Sequence, residues 1–224
     1  MDATNRAQIR IEEENVSRIE GASDRHAGLY VKLAYFFTRR QFARLTGRDT
    51  RRMSEGILEP LKLYAHVPGL LRGIAALEQA TAKLHHLDEG LKNLAELKAA
   101  TLTHCEYCID LGSQVARRCG LSDEKLLALP SYQTSALFSD LEKLVLDYAV
   151  GMSRTPVEVS DALFARLREH FNAIELVELT HIIALENLRG RFNLALGVGS
   201  AGFSEGMVCA VPATAATSPV NAIH

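Results

Sequence analysis

Apolar residues recur at helical spacing along most of this 224-residue chain. After about residue 25, almost no segment shows the two-residue alternation that is typical of a β-strand. Pro68 is well placed in the first turn of one such helix. The apolar set that follows it is Leu70, Leu71, Ile74 and Leu77. The pattern predicts an all-α protein whose helices pack through apolar stripes.

Several predicted helices begin with side chains that can cap the free N–H groups of a first turn. Two segments have the spacing of a capping box, and they are Ser139-x-x-Glu142 and Asn172-x-x-Glu175. Ser122 opens a further short helix, which ends before a proline. These signals fix where the later helices start.

The last predicted helix runs from about Ala173 to Leu196 and is apolar around most of its circumference. A helix of this kind lies in the centre of a domain or at a subunit contact. Arg189 and Arg191 are part of it, so we expect carboxylates or backbone carbonyls to bind their side chains.

Changes in composition divide the chain into three parts. Residues 1–55 form an N-terminal helical extension, residues 56–200 the main helical domain, and residues 201–224 a flexible tail rich in Ala, Thr, Ser and Pro. In the extension, an aromatic-rich helix is predicted from about Ala27 to Leu45. It could lie on a membrane surface, but its short basic face favours packing on its own domain or on a neighbouring subunit.

Composition and charge exclude some classes of protein. Apolar residues make up 47% of the chain and charged residues 23%, as in an ordinary globular protein. The formal net charge of −2 gives no electrostatic reason to expect nucleic acid as a partner. No apolar run approaches the roughly 18 residues of a membrane span, and residues 1–10 are too polar for a signal peptide. We expect a cytoplasmic protein that binds neither nucleic acid nor membrane.

Reactive groups are concentrated in residues 104–111, His-Cys-Glu-Tyr-Cys-Ile-Asp-Leu, where one predicted helix ends and the next begins. Cys105 and Cys108 are about one helical turn apart, close enough to form a disulfide or to share a metal ion. At the start of a helix, free N–H groups and the helix dipole stabilise a thiolate. Cys119 and Cys209 lack this setting and are predicted to have no catalytic role.

Metal binding is the weaker interpretation of the cysteine pair. A structural zinc site needs four ligands, and the sequence has no second Cys-x-x-Cys and no histidine pair at zinc-finger spacing. A di-iron bundle needs two Glu-x-x-His helices, and only Glu178-x-x-His181 has that spacing. We predict neither a metal nor an organic cofactor.

Dithiol redox chemistry fits the pair better. It requires a thiolate that attacks, a second thiol that resolves the intermediate and a group that moves a proton. Glu96, on the preceding predicted helix, could carry the proton if the two helices form a tight hairpin. The alternative for Glu96 is a solvated or ion-paired carboxylate. His104 and Asp110 are further candidates, and the pattern lacks the strands of a thioredoxin fold.

Three stretches together resemble one known superfamily. Residues 97–111, Leu-Lys-Ala-Ala-Thr-Leu-Thr-His-Cys-Glu-Tyr-Cys-Ile-Asp-Leu, contain the motif. Residues 66–71, His-Val-Pro-Gly-Leu-Leu, precede it, and residues 186–193, Glu-Asn-Leu-Arg-Gly-Arg-Phe-Asn, follow it. In this order they are similar to the carboxymuconolactone decarboxylase and alkylhydroperoxidase-D-like superfamily, peroxidase-related branch, over roughly residues 57–200.

The resemblance implies an alkylhydroperoxidase-D-like helical bundle that assembles into trimers or hexamers and acts as a thiol peroxidase. Its substrate would be hydrogen peroxide or an organic hydroperoxide, and its electrons would come from a dithiol reductant protein. By the same resemblance, Cys108 would attack the peroxide, Cys105 would resolve the intermediate and Glu96 would be the proton-carrying carboxylate.

The chain departs from the family at two activating positions. Gly112 stands where the family has a histidine, and Asn93 stands where it has a glutamate. Glu96, one turn after Asn93, could replace the glutamate, whereas nothing in the sequence replaces the histidine. Two alternatives therefore stay open. One is a carboxymuconolactone decarboxylase-like enzyme that acts on a small carboxylated substrate, and the other is a non-catalytic, redox-sensing helical oligomer.

Overall fold

The computed structural model describes residues 17–23, 28–50 and 55–212, and the regular structure in these ranges is entirely helical. The early helices are α1 Leu29–Thr46, α2 Glu59–Tyr64, α3 Pro68–Thr81, α4 Glu89–Thr103 and α5 Glu106–Arg118. The later ones are α6 Asp123–Ala128, α7 Asp140–Ser153, α8 Asp161–His170 and α9 Ala173–Leu196. Two 3₁₀ turns, Glu55–Leu58 and Leu129–Ser131, complete the set. The all-α prediction is confirmed.

The predicted helix beginnings are confirmed by their caps. Ser139 and Asn172 both form complete capping boxes, at the starts of α7 and α9. The Ser122 hydroxyl accepts a hydrogen bond from the Lys125 N–H, as expected for the cap of α6. Each cap binds N–H groups that have no partner within the first helical turn.

Helix α4 is the centre of the fold, because it packs against α5, α7 and α9. Ala95 and Ala99 on α4 are fully buried, and their small side chains allow neighbouring helices to approach closely. A second apolar cluster surrounds the start of α5 and includes both Cys105 and Cys108. The cysteine pair therefore lies in the packed interior at the turn between α4 and α5.

Helix α9 has the predicted bounds and is buried along the face that meets α4. An outer stripe that includes Ile174, Val177 and Leu188 remains exposed. Both arginines have partners, since Arg189 binds carboxylates and Arg191 donates to Thr155 Oγ1 at 2.9 Å. The prediction of a buried helix is thus confirmed for one side of α9, and its outer stripe is exposed.

The N-terminal part of the chain is attached to the domain at several points. The Arg18 N–H donates to the Leu196 carbonyl at 2.7 Å, and the Ala22 N–H donates to the Lys62 carbonyl at 3.0 Å. Helix α1 follows as predicted and buries Tyr35, whereas Phe36 and Phe37 are exposed. One face of this aromatic-rich helix therefore packs on its own domain.

The C-terminal segment differs from the expected flexible tail. Phe203 is fully buried, and Asp110 of α5 accepts hydrogen bonds from the backbone N–H groups of Ala201, Phe203 and Ser204. The expectation of a tail is wrong for residues 201–212, because a buried carboxylate supplies acceptors that the composition of the segment does not reveal. Residues 213–224 lie outside the described part of the chain.

Among residues 17–23, 28–50 and 55–212, no helix combines the length and the apolar character that crossing a membrane requires.

Gly190 is predicted to be essential for the contact between α9 and the end of α4. A Cβ at this position would lie 2.5 Å from Thr103 Oγ1 and 3.0 Å from Thr103 Cβ. Gly190→Ala should therefore lower the free energy of unfolding by roughly 1–3 kcal/mol, a typical cost of overpacking. Gly73→Ala on α3 is the matched control, since a Cβ there meets nothing within 4 Å.

Chemical denaturation measures the free energy of unfolding of both glycine variants. Gly73→Ala should stabilise the protein by roughly 0.5–1 kcal/mol, because alanine is the better helix former. Equal stabilisation by Gly190→Ala would show that the two helices are not in close contact at Thr103.

Candidate active site at the Cys105–Cys108 pair

Cys105 and Cys108 form a disulfide at the beginning of α5, with their Cα atoms 5.2 Å apart. Cys105 is the N-cap residue of α5, and Cys108 lies in the first turn. His104 adopts a left-handed conformation, with φ 59°, which ends α4 and reverses the chain into α5. The predicted disulfide reach and the predicted position at a helix start are both confirmed. In the reduced protein, the free N–H groups of this turn would favour a thiolate.

The two cysteines differ slightly in burial. Cys105 is 0% exposed, whereas Cys108 retains 8% exposure. Asn193 of α9 places its amide Nδ2 3.6 Å from each sulfur, within the range of a weak N–H···S hydrogen bond. Cys108 is therefore the less buried residue of the pair, and an amide donor lies close to both sulfurs.

Asn193 was not predicted as a functional residue. It belongs to the stretch that carries the family resemblance, but its residue type alone indicates no separate role. The available signal is its spacing, because the polar residues Glu186, Arg189 and Asn193 stand at i, i+3 and i+7 of this helix. That spacing places all three on one face of α9.

Arg189, one helical turn before Asn193, joins three carboxylates. Its Nε and Nη2 donate to Glu78 of α3 at 2.8 and 2.5 Å, and its Nη1 donates to Glu186 at 3.1 Å. The same Nη1 donates to Glu96 of α4. Burial by itself would lower the pKa of Arg189, but the carboxylates of Glu96, Glu78 and Glu186 raise it well above its usual value. Arg189 is therefore a permanent cation.

Glu96 thus lies in an ion pair between α4 and α9. Its side chain is 33% exposed, so it is open to solvent on one side. This environment matches the ion-paired alternative, and an ion-paired carboxylate can still exchange a proton with a neighbour. The proton-carrying role of Glu96 stays a prediction.

The other residues considered for proton transfer lie elsewhere. Both carboxylate oxygens of Asp110 bind residues 200–204, and His104 is exposed. Asn93 donates to Cys119 Sγ at 3.3 Å, so it faces the far end of α5. A Cβ at Gly112 would lie 3.2 Å from Leu97 Cδ1. The glycine therefore allows close packing of α4 and α5, and a histidine would displace the buried Leu97.

Glu178 and His181 have structural partners. Glu178 accepts hydrogen bonds from the His86 and Leu87 N–H groups and from His86 Nδ1, while His181 Nε2 lies 2.7 Å from Thr81 Oγ1. In the described ranges, no group of three or more histidine, cysteine or acidic side chains is placed to hold a metal ion. The two residues instead tie the ends of α3 and α4 to α9.

Glu178 should make the stability of the protein depend on pH. Burial favours the neutral acid, but the hydrogen bonds from Leu87 and His86 outweigh it and lower the pKa of Glu178 to about 2. The carboxylate therefore stabilises the fold above its unfolded pKa of about 4.5, and this contribution is lost as the pH falls through about 2. Glu178→Gln should cost roughly 2–3 kcal/mol at pH 7, because the buried Leu87 N–H and the partly buried His86 N–H lose a charged acceptor.

Thermal unfolding between pH 2 and pH 7 measures this effect. Stability of Glu178→Gln should change less with pH than that of wild type. Glu169→Gln is the control, because Glu169 is exposed on α8. Parallel pH profiles for wild type and Glu178→Gln would contradict the assignment.

Comparisons with known proteins identify the family of the chain. A sequence model of the carboxymuconolactone decarboxylase family matches residues 68–150. The Escherichia coli (strain K12) protein YnjA is 38% identical over 164 residues, which cover 72% of this chain and 87% of YnjA. The chain therefore belongs to the carboxymuconolactone decarboxylase family, as the residues around the cysteine pair predicted.

Solved structures share the fold. The debrominase Bmp8 superposes with a TM-score of 0.67 at 19% identity, covering 84% of this chain and 92% of Bmp8. A peroxidase-related protein from Ralstonia eutropha JMP134, with an alkylhydroperoxidase AhpD core, gives a TM-score of 0.64 at 19% identity and covers 84% and 94%. These neighbours confirm the AhpD-like helical bundle. Since they include a debrominase and a peroxidase-related protein, the fold by itself does not select a reaction.

Proposed function

We propose that the protein is a thiol-dependent peroxidase that reduces hydrogen peroxide or an organic hydroperoxide. The observation that supports this most is the placement of a Cys105–Cys108 pair at a helix start, with Cys108 the less buried of the two residues. An attacking thiolate must be both stabilised and reachable, and its partner must lie within disulfide reach. The helix start would stabilise the thiolate, Cys108 retains some exposure, and Cys105 lies within disulfide reach.

The proposed cycle has three balanced steps. The Cys108 thiolate attacks one peroxide oxygen, the O–O bond breaks, and the leaving alkoxide takes up a proton, which gives an alcohol and a sulfenic acid. The Cys105 thiol then displaces water from the sulfenic acid and forms the disulfide. A dithiol reductant reduces the disulfide, becomes oxidised itself and restores the Cys105 thiol and the Cys108 thiolate with release of one proton.

Asn193 and Glu96 have separate parts in this proposal. The Asn193 amide, 3.6 Å from both sulfurs, would donate to the Cys108 thiolate and help to keep it ionised. Glu96 would deliver the proton that the leaving alkoxide needs, because its side chain is partly open to solvent. We therefore assign the catalytic roles to Cys105, Cys108 and Glu96.

We propose that a dithiol protein supplies the electrons and that the chain forms a homo-oligomer in the cytoplasm, where thiols are kept reduced. Helix α3 buries only Leu71, while its Leu70 and Leu77 are exposed, and α1 likewise exposes Phe36 and Phe37. A second copy of the chain would cover these apolar surfaces, as in a trimer or hexamer. Sedimentation measures the number of subunits.

Reductive debromination is a second candidate. Here the same dithiol would supply two electrons and a proton, so that a C–H bond replaces the C–Br bond and bromide leaves. Phe192, next to Asn193 in sequence, stacks on Tyr64 with ring centroids 4.0 Å apart, and both rings pack against the apolar cluster that contains the two cysteines. The structural neighbour Bmp8 is a debrominase.

Two other hypotheses about the function are less well supported. A decarboxylase-like reaction needs a cation that is free to bind the substrate carboxylate, but Arg189 already binds three carboxylates of the protein. A non-catalytic redox sensor would use the same disulfide without turnover. The oxidised pair is compatible with that role, so an assay must decide.

The deciding experiment measures substrate consumption by the wild-type protein with dithiothreitol as reductant. Hydrogen peroxide, an organic hydroperoxide and a brominated pyrrole are compared at equal concentration. Sustained peroxide consumption supports the proposal, and bromide release without it supports debromination. Stoichiometric disulfide formation without turnover would replace the peroxidase with a redox sensor.

A further inference from the structure

Glu186 is the most deeply buried carboxylate in the group around Arg189. The residue is 3% exposed, and its Oε1 is fully buried without a hydrogen-bond partner in the described part of the chain. An ionised carboxylate needs donors on both oxygens, and a buried one that lacks them is strongly disfavoured. The neutral acid carries a much smaller burial cost. The position of Glu186 thus favours its protonated form.

The charges of the group lead to the same result. One guanidinium, Arg189, faces the carboxylates of Glu78, Glu96 and Glu186. If all three were ionised, two negative charges would be in excess in a partly buried site, and like charges at this distance disfavour each other. The Glu78 and Glu96 side chains are 36% and 33% exposed, whereas that of Glu186 is 5% exposed. The carboxylate with the least solvent is the one to stay neutral.

Glu186 and Glu96 are close enough to share a proton. Both accept a hydrogen bond from the same atom, Arg189 Nη1. Two oxygens bonded to one nitrogen lie within about 6 Å of each other, a distance that a single water molecule can bridge. Glu186 also lies on the same face of α9 as Asn193, which contacts both sulfurs.

We infer that Glu186 is a neutral acid at pH 7 and stores the proton that the reaction needs. Glu186 passes this proton to Glu96, and Glu96 passes it to the leaving oxygen of the peroxide. This inference rests on the proposed peroxidase function and identifies the origin of the proton in its first step. Glu186 becomes a carboxylate when the alcohol forms. It recovers a proton when the dithiol reductant opens the disulfide and one proton is released.

The electrostatics of the site agree with this assignment. Burial raises the pKa of Glu186 to about 8, the positive charge of Arg189 opposes the shift, and Glu96 and Glu78 add to it. These groups come from α9, α4 and α3, the helices that meet at the site. Because Glu186 does not touch the reacting atoms, it is a positioning residue for the proton rather than a catalytic residue.

The first test is independent of peroxide turnover. Infrared spectra of the wild-type protein across pH should show the carbonyl stretch of a protonated carboxylic acid at pH 7, titrating well above the usual pKa of a glutamate. The band should disappear in Glu186→Gln and remain in Glu169→Gln, whose residue is exposed on α8. A spectrum of the wild type without this band at pH 7, or a band that survives in Glu186→Gln, would overturn the inference.

The second test uses the pH dependence of turnover. Glu186→Gln should reduce kcat on the order of 10²-fold, the lower end of general acid catalysis, and should remove the fall in rate above about pH 8. Glu169→Gln should keep the wild-type profile. An unchanged pH profile in Glu186→Gln would overturn the proton store. Absence of wild-type turnover would instead overturn the peroxidase function, and with it the proton transfer from Glu186 through Glu96. The infrared band would still decide whether Glu186 is protonated at pH 7.

A third test measures how the stability of the wild-type protein depends on pH, and it can be used even if Glu186→Gln folds poorly. A pKa that is raised in the folded state gives stability that is present below the unfolded value of about 4.5 and is lost as the pH rises through about 8. Wild type should therefore lose stability over this window. Glu186→Leu, which also lacks the titrating proton, should lose less.

Discussion

Cys108→Ser should reduce steady-state peroxide turnover by at least about 10³-fold, because a serine hydroxyl has almost no ionised form at neutral pH and is a far weaker nucleophile. Cys105→Ser should have a different effect. It leaves the attacking thiolate intact, so one equivalent of peroxide should be consumed quickly and Cys108 should accumulate as a sulfenic acid. Rapid-mixing kinetics and the mass of the oxidised protein distinguish the two variants.

Cys119→Ser is the matched control for these experiments, because Cys119 is a free and exposed cysteine at the other end of α5. It should keep the wild-type rate. If Cys108→Ser rapidly consumed one equivalent of peroxide and Cys105→Ser did not, Cys105 would be the attacking cysteine and Cys108 the resolving one. Unchanged turnover in both variants would remove the dithiol from the mechanism.

Asp110→Ala should lower the free energy of unfolding by roughly 3–5 kcal/mol, which for a chain of this size shifts Tm by about 10 °C. The carboxylate accepts hydrogen bonds from the N–H groups of Ala201, Phe203 and Ser204 at 3.0, 2.9 and 2.6 Å. Without it, these buried donors would have no partner, and each would add its own desolvation cost. Scanning calorimetry of the variant measures the shift.

The control for this prediction is Asp161→Ala, which removes an exposed aspartate from the first turn of α8. Its expected cost is below about 1 kcal/mol, because only the interaction with the helix dipole is lost. Limited proteolysis gives a second measurement, since segment 201–212 should become accessible in Asp110→Ala. Equal Tm values for the two variants would show that Asp110 does not hold the segment.

The stability prediction also shows where composition misleads. Residues 201–212 are small and polar in large part, which is why the sequence predicted a flexible tail. The structure instead buries Phe203 and Ala210 and holds the backbone on α5. Composition averages over a segment, whereas docking depends on one apolar side chain and one acceptor at the correct place.

In the candidate site, too, some residues could be predicted from the sequence and others could not. Cys105 and Cys108 could be predicted because their chemistry depends on a spacing of three residues and on a helix start, both of which are local. Asn193 could not be predicted with the same ease, because it reaches the sulfurs from a position 88 residues beyond Cys105. The same holds for Glu96, whose partner Arg189 is 93 residues away in sequence.

The helices, their caps and the position of the redox pair follow from the sequence alone, since they depend on side chains within one or two turns of each other. Which polar groups meet around that pair depends on how the helices pack. Helix packing brings Glu78, Glu96 and Glu186 to one guanidinium and leaves Glu186 Oε1 buried without a hydrogen-bond partner in the described part of the chain. Protonation depends on the charges and the solvent within a few ångströms, and these are properties of the folded chain.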